Sequence, residues 1–350
     1  MKLPLPLADA MQSGWHRLQR LATVTPREPK LTVGMDIGSS SIKLVALGPR
    51  KPGGGRPILG QRLVPLQGSS DEQVTAAIKE AAGGLGLPVS AVNLSVCGQS
   101  VIMRVVEMPV LSPGELAQAL PFEAQRHLPF QIQDVVLDGT LLGTADASQG
   151  KKMWVLIVAC KRDLLEQRVA CLKQAGLEPA LVDVDALALA NAFTASANGN
   201  AHTGTQALIN IGAQWTNLVI LKGGVPYLVR DIPWGSQKLA HEMAEQLNRD
   251  AGAVAAQLQQ PAPAGPEWQD AMKMRCESFT TDLQLSFDFF ESRFGTTPER
   301  ILVSGGLTQC PGFMDALKSH LVQPLELWTV AGGLNPQFLV AYGLALRTSG

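Results

Sequence analysis

Charge is scarce in this sequence and neither sign prevails. Asp, Glu, Lys and Arg make up 17% of the 350 residues, and 29 basic against 30 acidic side chains leave a formal net charge of −1. A surface that neutralises nucleic-acid phosphates shows as a basic excess, so no nucleic acid is expected as a partner. Long apolar runs are missing as well. Nothing approaches the roughly 20 unbroken apolar residues of a membrane span, and the N-terminus lacks a signal-peptide core, so a cytoplasmic protein is expected. The five cysteines (Cys97, Cys160, Cys171, Cys276, Cys310) form no CxxC pair, and the five histidines are equally dispersed. Zinc and iron–sulfur sites are therefore not expected, and the thiols read as reduced and mostly buried. Hydrophobic residues, by contrast, reach 46%, enough for two cores in a chain of this length.

Two glycine turns stand out. Asp36-Ile37-Gly38-Ser39-Ser40-Ser41 lies inside LTVGMDIGSSSIKLVALG, and Asn210-Ile211-Gly212-Ala213-Gln214-Trp215-Thr216 lies inside ALINIGAQWTNLVILKGG. Each follows one apolar strand and leads directly into another. A third signal, Ile301-Leu302-Val303-Ser304-Gly305-Gly306, comes late in the chain.

Around these turns the pattern repeats. LTVGM, SIKLVAL and PILGQRLV read as a meander, followed by a helix from about 71 to 82. ALINIG, TNLVILK and VPYLVRDI restart it after 207. Helices then cover roughly 236–260 and 267–294, with the Pro261–Pro266 linker between them. ILVSGG, a short helix, PLELW and a last helix near 338–347 follow. Three antiparallel strands followed by helix–strand units, twice over, is a duplicated ribonuclease H-like α/β fold with two lobes. Residues 31–88 and 144–193 are assigned to the first lobe and 194–350 to the second, which includes a helical subdomain over about 236–295 and ends in a helix packing back on the first lobe. Residues 89–143 are assigned to an inserted small α+β subdomain, in which Ser112-Pro113-Gly114-Glu115 fits a capping box and Pro121 is expected to kink or restart the helix. Residues 1–30 read as an appendage. Met11, Trp15, Leu18 and Ala22 recur there at helical spacing beside Arg17 and Arg20, a pattern that suits a partner or a membrane surface.

A hairpin with glycine at its bend can aim backbone N–H groups at one anion, and glycine at 38 and 212 leaves room for phosphate oxygens. Ser39, Ser40, Ser41 and Thr216 are candidate hydroxyl donors, Lys43 a candidate cation, and Asp36 a carboxylate for Mg2+ through a bound water. Asn210, Ala213 and Gly212 complete the second cradle, and Ser304, Gly305 and Gly306 are placed against an adenine ring. Asp183 and Asp185 are the remaining acids near this cleft, able to orient a water or to cap a helix.

With these motifs placed, the chain resembles the actin/Hsp70/FtsA superfamily and, more closely, the PilM family of type IV pilus assembly. The specific strings are VDVDALALANAF, INIGAQWTNLVILKGGVPYLVRDI, PFEAQRHLPF with VVLDGTLLG, and LSFDFFESRFG. The resemblance implies ATP or ADP with Mg2+ between the lobes, held by the residues just named. It implies a groove beside the small subdomain for the cytoplasmic N-terminal peptide of the membrane protein PilN. Through PilN it implies attachment to the PilN–PilO–PilP complex at the inner membrane, with the pilus motor ATPases and further copies of the chain as additional candidate partners. Asn210 departs from the aspartate of actin and Hsp70, and Gln284 and Leu285 replace basic residues usual in the family. Phosphoryl transfer needs a positioned nucleophile, and none is evident. The nucleotide is thus expected to act as a conformational ligand, with slow hydrolysis at most. A small-molecule kinase of the same fold and an FtsA-like filament protein are the alternatives.

Overall fold

The computed structural model describes residues 30–51, 55–144, 152–196, 204–260, 265–330 and 333–348. The N-terminal appendage, most of the glycine loop at 52–54 and most of the Pro/Ala linker lie outside these residues. Two five-stranded sheets carry the molecule. The first runs in the order β3–β2–β1–β4–β8, from β1 (Thr32–Ile37), β2 (Ser41–Leu47), β3 (Ile58–Pro65), β4 (Ala91–Val96) and β8 (Glu178–Val184). The second repeats it as β11–β10–β9–β12–β13, from β9 (Thr205–Ile211), β10 (Thr216–Lys222), β11 (Val225–Ile232), β12 (Arg300–Gly305) and β13 (Leu325–Leu327). In each, the first three strands are antiparallel and the last two join in parallel. This is the duplicated ribonuclease H-like fold. The interior strands β2 and β10 are buried over nearly their whole length, as expected for strands covered on both faces.

Helices pack on each sheet: α1 (Asp71–Gly83) and α3 (Arg162–Gln174) on the first, and α5 (Ser236–Leu247), α6 (Ala251–Leu258), the 29-residue α7 (Pro266–Phe294) and α8 (Phe313–Lys318) on the second. Trp234 stacks on Phe279 of α7 at 4.1 Å in the core of the second lobe. Two further helices, α4 (Asp185–Ser196) and α9 (Leu339–Leu346), cross between the lobes. Glycine permits that crossing. A Cβ at Gly343 would collide with the Ala188 backbone carbonyl, and one at Gly34 of β1 with the Ala341 carbonyl and the Ala345 amide of α9. Asn93 Nδ2 donates to the Leu344 and Arg347 carbonyls at 2.8 and 2.9 Å, and Thr32 Oγ1 to the Ala345 carbonyl at 2.5 Å. These bonds satisfy carbonyls that the last turn of a helix leaves free.

The inserted subdomain differs from the expected bounds. Residues 91–96 form β4, which belongs to the first-lobe sheet. MWVLIVAC forms β7 (Lys152–Lys161), the middle strand of a third sheet β5–β7–β6, with β5 (Val101–Pro109) and β6 (Val135–Thr144). The insert therefore runs from β5 to β7. An all-apolar strand is also what the centre of a three-stranded sheet requires, so apolarity alone did not distinguish the two sheets. Pro121 does not break helix α2 (Pro113–Gln125). Pro121 and Ala117 are both exposed, so the Ala117 carbonyl that loses its partner faces solvent. Leu116, Leu120 and Ala124 stay on one buried stripe, and the Ser112–Glu115 capping box is formed.

Candidate functional site

The two glycine turns have one geometry. Gly38 N–H donates to the Ser41 carbonyl at 3.1 Å, and Gly212 N–H to the Trp215 carbonyl at 3.0 Å. Neither glycine has positive φ; a Cβ at Gly212 would sit 2.8 Å from the Trp215 oxygen, so glycine is needed for closeness rather than for handedness. At Gly38 a Cβ would come within 3.5 Å of Lys43 Nζ and 3.7 Å of Asp36 Oδ1, filling the space before that pair.

In the first hairpin, Asp36 and Lys43 are cross-strand partners joined by an ion pair of 2.9 Å. Lys43 thus reaches the cleft as the counter-ion of Asp36 rather than as a free cation. Ser39 and Ser40 are exposed at the bend, and Ser41 is buried. In the second hairpin two expected donors are already engaged. Thr216 is wholly buried and its hydroxyl donates to the Trp234 carbonyl at 2.8 Å. Ser304 is equally buried and donates to the Ile209 carbonyl at 3.0 Å. Both hydroxyls hold the second lobe together. Gly305, at φ 101°, is required because a Cβ there would strike the backbone of Ile211. Gly306 is exposed, with no atom within 4 Å of its Cβ position, so of the pair it is the glycine that offers open surface to a ring. Ala213 is nearly buried behind the bend.

Sequence reasoning missed what lies behind Asn210. Ser304, Asn210, Asn217 and Asp231 are successive cross-strand partners and form one hydrogen-bonded row. Ser304 Oγ, whose one proton goes mainly to Ile209, stands 3.3 Å from Asn210 Oδ1, Asn210 Nδ2 donates to Asn217 Oδ1 at 3.0 Å, and Asn217 Nδ2 to Asp231 Oδ1 at 2.8 Å. The other Asp231 oxygen accepts the N–H of Gly98 at 2.7 Å. Gly98 belongs to the first-lobe side, in the β4–β5 turn at φ 91°, and its Cβ position lies 2.9 Å from the Trp215 ring. The row therefore ends in a latch between the lobes. Only the hairpin register could have revealed it: Asn217 and Asp231 fall opposite each other once β10 and β11 are paired from their turn.

Asp185 sits in the same region, fully enclosed, with Ser95 Oγ donating to its Oδ1 at 2.5 Å. Burial first, and then the charge of Asp36, push its carboxyl up to about 7. Burial likewise raises Asp231, against the hydrogen bonds from Gly98 and Asn217, and Cys97, whose thiol feels burial first and then Asp185, Asp231 and Asp36. Asp36, Asp185 and Asp231 thus lie near one another, with Lys43 paired to Asp36. Asp183, expected beside the cleft, instead faces the insert. It lines a cavity of about 380 Å³ between β6 and β7 on one side and β8, α3 and α4 on the other, with Val136, Val158, Leu165 and Leu187 among its apolar walls and Arg347 beyond α9 at one edge. On α7, Gln284 donates to Asp288 at 2.8 Å and Leu285 is 59% exposed, so the expected basic pair is replaced by a neutral surface.

Two similar lobes with matched glycine hairpins, bridged by crossing helices, define an actin-like protein. Similar solved structures share the fold. A PilM–PilN type IV pilus biogenesis complex is matched at 24% identity and TM-score 0.79, over 92% of this chain and 99% of that one. The ethanolamine utilization protein EutJ from Carboxydothermus hydrogenoformans is matched at 14% identity and TM-score 0.56, over 97% and 99%. The type IV pilus assembly protein PilM family matches residues 34–349, and the chain belongs to that family. No helix among the described residues is long and apolar enough to cross a membrane.

Proposed function

We propose that this chain is a nucleotide-responsive scaffold of type IV pilus assembly that holds the cytoplasmic N-terminal tail of PilN in the cavity between the insert and the first lobe. The observation that carries this is the cavity itself: about 380 Å³, with mostly apolar walls and a few polar groups as in ligand sites generally, placed beside a sheet where a short segment can seat its apolar side chains. The relative solved as a complex with PilN supports the choice of partner. Through that tail the protein sits on the cytoplasmic face of the inner membrane, joined to the PilN–PilO–PilP assembly.

ATP or ADP is assigned to the inter-lobe site, at Asp36, Gly38, Ser39, Ser40 and Ser41 on one side and Gly212 and Gly306 on the other. The residues fit the ligand. The bends are tight, each glycine N–H closing onto a carbonyl of its own hairpin, with Ser39 and Ser40 exposed at the first, and three carboxylates against one ammonium admit a triphosphate only with accompanying cation charge. Among the described residues no group of three or more His, Cys, Asp or Glu is arranged to hold a metal ion. That suits Mg2+ carried on the phosphates, with Asp36 reaching it through water. A physical route joins the cavity wall to the second lobe. Trp154, Leu156, Val158 and Cys160 alternate onto one face of β7. Leu156, Val158 and Cys160 line the cavity, while Trp154 meets Tyr227 and Phe294 of the second lobe at 6.2 and 5.1 Å between ring centres. Lobe closure on nucleotide then shifts the wall of the groove.

The test is fluorescence anisotropy of a labelled PilN-tail peptide on the full chain, with and without ATP and Mg2+. Saturable binding is expected in both conditions, a several-fold change in affinity on adding nucleotide, and no binding of a scrambled peptide. Equal affinity for scrambled and native peptides overturns the partner assignment, and an affinity indifferent to nucleotide overturns the coupling.

A further inference from the structure

The cavity meets its two walls in different ways. From β7 it is lined by Leu156, Val158 and Cys160, alternate residues whose side chains share one face of the strand. From β8 it is lined by Val182, Asp183 and Val184, consecutive residues whose side chains point to opposite faces. A space reached by both sets runs along the edge of the strand. β8 has such an edge. It is the last strand of the first-lobe sheet and, among the described residues, pairs with β4 alone, so the backbone N–H and C=O groups on its outer side have no strand partner.

That edge is guarded over only part of its length. Pro179, which has no N–H to offer, sits in the first half, and the pairing with β4 slips by one residue between Pro179 and Leu181. Proline and a bulge are devices that keep a sheet edge from being extended. Past the slip, Leu181-Val182-Asp183-Val184 pairs regularly with β4 and carries neither. The Val184 N–H donates to Asp183 Oδ1 at 2.9 Å, which places it on the outer side of the strand. Backbone directions alternate along a strand, so the N–H and C=O of Val182 lie on that side as well. Val182 is half-buried and lines the cavity. The Val184 donor is already met by Asp183, whereas Val182 offers one donor and one acceptor to a segment laid beside it.

We propose that the peptide is bound by strand addition: it lies extended along Val182–Val184 as a sixth strand of the first-lobe sheet, exchanging main-chain hydrogen bonds with Val182, while alternate side chains settle on the apolar wall of Val136, Leu156 and Val158. The proposal deepens the reading of this cavity as the peptide site and rests on it. Main-chain bonds supply affinity in this mode and the apolar wall supplies selectivity, with the alternation of side chains fixing the register.

The test is anisotropy on the full chain with the labelled PilN-tail peptide and with versions carrying one N-methyl group at each backbone amide in turn. An added strand turns every second amide toward its partner, so losses are expected at alternate positions, roughly fivefold or more, with small effects between them. Hydrogen–deuterium exchange at the Val182 amide is expected to slow by about tenfold or more when the peptide saturates the full chain. Leu187→Arg, which fills the groove, is expected to abolish binding. Losses that do not alternate, or a Val182 amide that exchanges at an unchanged rate, overturn strand addition and, with binding still abolished by Leu187→Arg, leave the groove standing. Binding indifferent to Leu187→Arg overturns the groove, and the added strand with it.

Discussion

Asp185 begins helix α4 with a carboxylate enclosed by protein, a hydroxyl from Ser95 on one oxygen and the charge of Asp36 nearby. Burial disfavours the ionised form, and the consequence for stability has a definite sign. Below the ordinary value of 3.8 the group is protonated in folded and unfolded chains alike. As pH rises past it the unfolded chain releases its proton, while the folded chain keeps it until about 7. Across that window the folded state binds more protons, so this group's contribution to stability falls as pH rises and levels off above 7. Asp185→Asn retains an oxygen for the Ser95 hydroxyl and carries no charge. Urea unfolding at pH 5 and pH 7.5 is expected to show a smaller loss between the two for the variant than for wild type, with the variant the more stable at pH 7.5. An unchanged difference would mean that Asp185 titrates normally in the fold. At this scale the sequence was only partly legible. Asp36 and Lys43 stood out as charged residues flanking one glycine bend, though not as each other's ion-pair partners. Thr216 and Ser304 looked like free donors because nothing local says that a hydroxyl is already spent on a carbonyl 18 or 95 residues away.

Helices α4 and α9 meet so closely that small residues, not complementary large ones, set their distance. The last helix was expected to pack back on the first lobe, but its close approach to α4 was not legible; the strands were, because their periodicity and turns are local properties. The bounds of the insert were not legible, because whether an apolar strand joins one sheet or another is decided by pairing across the chain, as β4 and β7 show. The α4–α9 contact gives a clean test. Replacing glycine by alanine inside a helix ordinarily gains roughly 0.5–1 kcal/mol. At Gly343 the new methyl would meet the Ala188 backbone, which cannot rotate away, and overpacking of that kind costs roughly 1–3 kcal/mol. The collision wins, so Gly343→Ala is expected to be net destabilising by denaturant titration. Gly114, in α2, has nothing within 4 Å of its Cβ position, and Gly114→Ala should be neutral or slightly stabilising. Equal effects at the two sites would show that the helices can separate at little cost.

Among the described residues, contacts that join the two halves of the molecule include the crossing helices, the Trp154–Tyr227–Phe294 cluster between the insert and the second lobe, and the latch in which Asp231 receives the Gly98 amide while Trp215 covers that glycine. The first two are apolar and broad. The latch is narrow and polar and lies against Trp215 of the second glycine hairpin, so it is the contact that a nucleotide bound as proposed would disturb most directly. It also rests on a row of side chains reaching back to Ser304, next to the glycine pair assigned to the base. Asp231→Asn tests the latch without changing its shape. The carboxylate accepts from Asn217 on one oxygen and from Gly98 on the other; the amide has one oxygen, and its NH2 must face a donor. A hydrogen bond to a charged acceptor contributes about 1.5–3 kcal/mol, which corresponds to roughly tenfold or more in local opening. Hydrogen–deuterium exchange at the Gly98 amide is thus expected to accelerate by at least about that factor, while amides in β1 and β9, deep in each lobe, keep their protection. If β1 and β9 exchange faster to the same degree, the substitution has loosened the whole fold and the latch is part of the core. If the Gly98 amide alone responds, the lobes are held at this point by a bond that can open while each lobe stays intact, which is the property a nucleotide-responsive scaffold needs.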